Sequence, residues 1–84
     1  MFELIRLDDN HTTTGIYSSA VLYGQDKTYK EVMGERPIEG CNMVVARGIN
    51  SYWLTSEVVE ILEDTPNYVK FKTKNSTYEW KIIE

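Results

Sequence analysis

A mainly β fold, a small, strongly curved antiparallel sheet or partly open barrel with one short helix, is what the residue pattern predicts for this chain of 84 residues. Three observations carry that prediction. Residues 68–73 alternate cleanly, with Val69, Phe71 and Thr73 on one face against Tyr68, Lys70 and Lys72 on the other, the period-two signature of a half-buried strand. Lys74-Asn75 then supplies a residue tolerant of positive φ, and 77–83 returns with Tyr78, Trp80 and Ile82 sharing a face, so the two segments specify each other as a hairpin. Further back, the stretch 41–47 is bounded by Gly40 and Gly48; its apolar run is too brief for an ordinary helix and reads as a buried strand.

The other elements follow in chain order. Residues 2–7 alternate imperfectly, which suits a short strand with both faces partly covered, and Asp8-Asp9-Asn10 stops it. His11 to Gly15 is turn-like in composition, whereas 16–23 holds enough β-branched and aromatic residues for a second strand. Within 26–34, Tyr29, Val32 and Met33 fall at i, i+3 and i+4, Thr28 and Glu31 have capping-box spacing, and Gly34 is a natural stop. The short helix is placed there. Residues 35–40 form a loop, and Gly48-Ile-Asn-Ser breaks the chain before Tyr52 and Trp53. Residues 55–63 read both ways: Val58, Val59 and Leu62 make a helical stripe behind Thr55-Ser56, but the β-branched content favours a strand. A turn at 64–67 leads into the C-terminal hairpin.

One domain, residues 1–84, is all that this length supports, and its single core is small enough for self-association to be a useful supplement. With 42% hydrophobic and 26% charged residues the chain has the composition of a soluble globular domain, and no apolar run approaches the ~18 residues of a membrane span. Glu3 and Arg6 interrupt the first apolar stretch, which argues against a secretory leader and for a cytoplasmic protein. The lone Cys41 cannot close an internal disulfide and fits a reducing compartment as a core filler. Without a secretion route, the triplets Asn10-His-Thr12 and Asn75-Ser-Thr77 mark exposed turns rather than glycosylation sites.

A formal charge of −4 removes the usual electrostatic drive toward duplex nucleic acid. His11 stands near Asp8 and Asp9, but a single histidine beside two turn carboxylates falls short of a zinc set or a positioned base. Nothing near Cys41 in sequence would activate its thiol. Glu57, Glu60, Glu63 and Asp64 read as a solvated acidic face ahead of a cation site or a nucleic-acid mimic. No catalytic, metal or cofactor residue is assigned, and the chain is expected to be a non-enzyme.

The aromatic content is the strongest hint of function. Two tryptophans, six tyrosines and two phenylalanines exceed what so small a core easily hides. Arg47, Tyr52, Trp53 and Tyr68 are the expected protein-binding residues, with Tyr17 or Tyr23 as additions, since aromatic and arginine side chains dominate interface hot spots. Two alternatives differ in kind. Lys70, Lys72 and Lys74 would hold phosphates in a nucleotide- or oligonucleotide-binding barrel with Tyr68 and Trp80 stacking bases, although those two rings fall on opposite faces. A structural subunit of a viral assembly would instead use edge-strand pairing.

Thr55-Ser56-x-Val58 followed by Thr73-x-Asn75-Ser76-x-Tyr78 resembles a pattern seen in small, uncharacterised bacteriophage and prophage proteins. The likeness begins at Thr55 and leaves the earlier residues unmatched. It implies a phage context and transfers no site residue. In that context a short acidic domain is expected to dock on a host or defence protein and block it, a task that needs a surface rather than an active site.

Overall fold

The computed structural model describes residues 1–23, 30–48 and 51–83, and all regular structure among them is β. Eight strands form: β1 (Phe2–Arg6), β2 (His11–Gly15), β3 (Tyr17–Tyr23), β4 (Lys30–Gly34), β5 (Asn42–Gly48), β6 (Ser51–Thr65), β7 (Tyr68–Thr73) and β8 (Thr77–Ile82). They join one open antiparallel sheet in the order β2-β1-β8-β7-β6-β5-β3-β4. The C-terminal hairpin forms as its alternation predicts, Val69 opposite Trp80 and Phe71 opposite Tyr78, with Val69, Phe71, Thr73, Tyr78 and Trp80 all buried.

The sheet folds over on itself because β6 is shared. Its first half pairs with β5 and its second half with β7, and register shifts interrupt the second pairing after Val58 and after Ile61. Such shifts bend a strand and raise its twist. A second corner lies between β2 and β3, at Ile16. There Gly15 packs so closely on β5 that a Cβ would stand 2.4 Å from the Ala46 carbonyl oxygen, leaving room for glycine alone. Arg47 fastens the same corner, donating from Nε to the Thr14 carbonyl at 2.9 Å. The result is a partly open barrel.

Leu4, Ala20, Cys41, Met43, Val45, Val58, Val69, Phe71, Tyr78 and Trp80 make the core. Phe2 stacks on Trp80 with centroids 5.6 Å apart, and Phe71 on Tyr78 at 5.4 Å. Trp80 Nε1 donates to Ser18 Oγ at 2.9 Å, and that hydroxyl donates to the Glu35 carbonyl at 2.7 Å, so the buried indole keeps a partner. Arg36 closes one end of the barrel. Its guanidinium lies 5.4 Å from the Trp80 ring centroid, donates to the Pro66 and Thr65 carbonyls, and pairs with Asp64.

Two expectations need correction. His11–Gly15, expected to be a turn, is a strand, and the turn is compressed into 7–10 with Asn10 at φ 57°. Its β-branched threonines pair along β1, Thr12 opposite Ile5 and Thr13 opposite Leu4, where strand propensity is fulfilled by a partner that composition does not reveal. The short helix expected over 26–34 lies partly outside the described residues. Its last five positions are strand β4, with Val32 opposite Val21; so short a stripe fits both periods and β3 decides between them. Residues 55–63 are strand, inside β6.

Candidate protein-docking face

Neighbouring residues on a strand point to opposite faces, and this divides the expected binding set. Tyr52 is 63% exposed on the outer face, opposite Ala46. Trp53 turns inward. It packs against the core, meets Tyr78 and His11 edge-on at 5.8 and 4.9 Å, and lies under the Arg6 guanidinium, 5.2 Å from its ring centroid. Arg47 is exposed but committed to the β2 corner through Thr14. Tyr68 stands opposite Thr65, at the far end of β6 from Tyr52. Its hydroxyl donates to the Glu79 carboxylate, and burial, followed by that carboxylate, pushes its pKa up to about 12. Tyr52 and Trp53 therefore point to different faces of β6 and meet only at one hollow, which both line, while Tyr68 lies apart from both.

What surrounds Tyr52 instead is the outer face of β3, β5 and β6. The register places Tyr17 and Tyr52 on either side of Ala46, and Ser19 and Leu54 on either side of Val44. Tyr17 is 59% exposed and Leu54 40%. A shallow groove of about 400 Å³ runs over this face, bounded by Val21 and Tyr23 at one end and by Tyr52 and Gly48 at the other, with Val44 and Ala46 as its floor. Beyond Val21, Val32 of β4 is 66% exposed. No charged residue occurs in 17–23, 42–46 or 51–56. Charges begin at the rim, with Arg47 and with Glu57, whose carboxylate is 3.8 Å from the Lys74 ammonium.

The other half of the sheet has the opposite character. Lys70 lies between Glu63 and Glu79, Lys72 opposite Glu60, and Lys81 opposite Glu3. Each lysine of these strands has a carboxylate as cross-strand neighbour, so the run Lys70, Lys72, Lys74 is interleaved with acids of β6 and β8.

At the barrel end opposite Arg36, a smaller hollow of about 280 Å³ is lined by Arg6, His11, Thr13, Ser51, Tyr52 and Trp53. Arg6 grips Asp9 with two contacts, Nε to Oδ1 at 3.1 Å and Nη2 to Oδ2 at 2.7 Å, while the His11 backbone N–H also donates to Asp9. Arg6 and then that N–H hold the Asp9 carboxyl down at about 2. Among the described residues no group of three or more His, Cys, Asp and Glu side chains gathers as a metal site would require. Cys41 is buried, and burial pushes its thiol up, away from the reactive thiolate.

Arg6 and Arg36, each laid over a tryptophan at one barrel end, are the residues that sequence reasoning missed; their partners are distant or across a turn, and nothing local marks them. Tyr17 beside Tyr52 was within reach. No helix of the described residues is long and apolar enough to cross a membrane. No protein-family model, curated protein or solved structure matches the chain.

Proposed function

We propose that the chain is a small non-catalytic protein-binding module that docks through the outer face of β3, β5 and β6 and blocks the protein it covers. A phage-encoded inhibitor acting in the host cytoplasm on a host or defence protein is the setting this role suits, in keeping with the resemblance of the C-terminal pattern to phage proteins. The observation that carries the proposal is the contrast between the two solvent faces: one alternates lysine and glutamate, while the other presents Tyr17, Val32, Tyr52 and Leu54 around an uncharged groove. An apolar, tyrosine-bearing centre with charge confined to its rim is the anatomy of a protein interface. The oligonucleotide-binding alternative draws less support, because its lysines are interleaved with carboxylates.

Capture from bacterial lysate tests the proposal. Wild type and Lys72→Glu should recover the same partner, and Tyr52→Arg with Leu54→Lys should lose it by tenfold or more. Equal recovery by all three would remove the face from consideration.

A further inference from the structure

Sheets covered on both faces read as continuous apolar runs rather than as alternation. Met43-Val44-Val45-Ala46 at the centre of β5 is such a run. Met43 and Val45 fill the barrel core, whereas Val44 and Ala46 floor the open groove on the other side. The strand carries the sequence of a doubly covered element with one cover missing.

The face also carries both halves of a self-fit. Tyr17 and Tyr52 rise on either side of Ala46, about 10 Å apart across two strand spacings, and the low ground between and beyond them is Ala46 and Gly48. A two-fold interface needs projection and hollow on one patch. Charge selects the same patch. At a net charge of −4 two copies repel over most approaches, and the strands at 17–23, 42–46 and 51–56 are where they meet without opposing like charges.

With β4 included for its exposed Val32, four strands at about 4.8 Å spacing and about six residues of each at about 3.3 Å let each copy bury roughly 400 Å², about 800 Å² for the pair, the size of a weak, transient contact. We infer that the uncharged face is occupied by a second copy of this chain: two molecules pack sheet on sheet, about 10 Å apart, in a weak symmetric dimer that a target must displace. The inference rests on the outer face being a docking surface.

Light scattering on a size-exclusion column, from about 5 to 500 μM protein, reads it directly. Wild type should pass from one chain to two within that range. Lys72→Glu should match it, and Tyr52→Arg and Leu54→Lys should each raise the midpoint more than tenfold while keeping the wild-type tryptophan emission of the folded core. A single chain at every concentration, or a dimer indifferent to both substitutions, overturns the inference. A single chain whose lysate partner is nonetheless lost in Tyr52→Arg removes only the second copy and leaves the docking face standing; a dimer weakened by Tyr52→Arg with lysate capture unchanged does the reverse.

Discussion

Tyr52 and Trp53 are adjacent in sequence, yet one faces solvent and the other supports the core. That split, imposed by strand alternation, decides which substitutions test binding and which test folding. Ser18 shows the folding side most sharply, as its hydroxyl accepts from Trp80 and donates to the Glu35 carbonyl. Ser18→Ala should cost about 1–3 kcal/mol in urea unfolding by stranding a buried indole N–H, and it should leave capture unchanged. The Arg6–Asp9 pair gives a pH signature. Its carboxyl sits at about 2 in the folded chain against about 3.9 unfolded, so its stabilising contribution is complete above pH 4 and disappears as pH falls toward 2. Tm in that window should fall less steeply for Asp9→Asn than for wild type; parallel slopes would contradict the assignment. Tyr68 acts at the other extreme. Held at about 12 when folded against about 10 unfolded, it contributes stability that is present below pH 10 and lost as pH rises toward 12, and Tyr68→Phe should flatten Tm there.

Elements were legible in proportion to how much of their structure is local. The hairpin of β7 and β8 could be read because Val69, Phe71, Trp80 and Ile82 alternate about a turn with its own residue signals. β2 could not, since His11 to Gly15 owes its extended form to β1. Residues 30–34 were equally illegible, five positions too few to separate a helical period from a strand period before β3 supplies a partner. The length of β6 stayed hidden because register shifts after Val58 and Ile61 break its alternation. Of the docking face, composition made it legible that some aromatics are exposed, with Tyr52 among the candidates. Tyr17 was a candidate neighbour alongside Tyr23, and what chose between them was not legible, because 35 positions of sequence separate strands that Ala46 brings together. The corner between β2 and β3 offers a test at this scale. Gly15→Ala pushes a methyl against the Ala46 carbonyl and should lower stability by about 1–3 kcal/mol in the same urea assay. Gly48→Ala, with open space around it, is the matched control.

At the scale of the whole molecule, one bent sheet gives the chain a buried core and two unlike exteriors. Arg36 lies over Trp80 and Arg6 over Trp53, one at each barrel end. The charged exterior resembles that of any soluble domain. The uncharged one, over β3, β5 and β6, is the location on which the proposed docking rests. Hydroxyl-radical footprinting, read residue by residue by mass spectrometry with the captured partner bound or with the protein concentrated into its dimer, tests that location most directly. Tyr17, Tyr52 and Leu54 should lose reactivity several-fold while Tyr68 keeps its own; protection of Tyr68 and the lysine strands with Tyr52 still reactive would contradict the account.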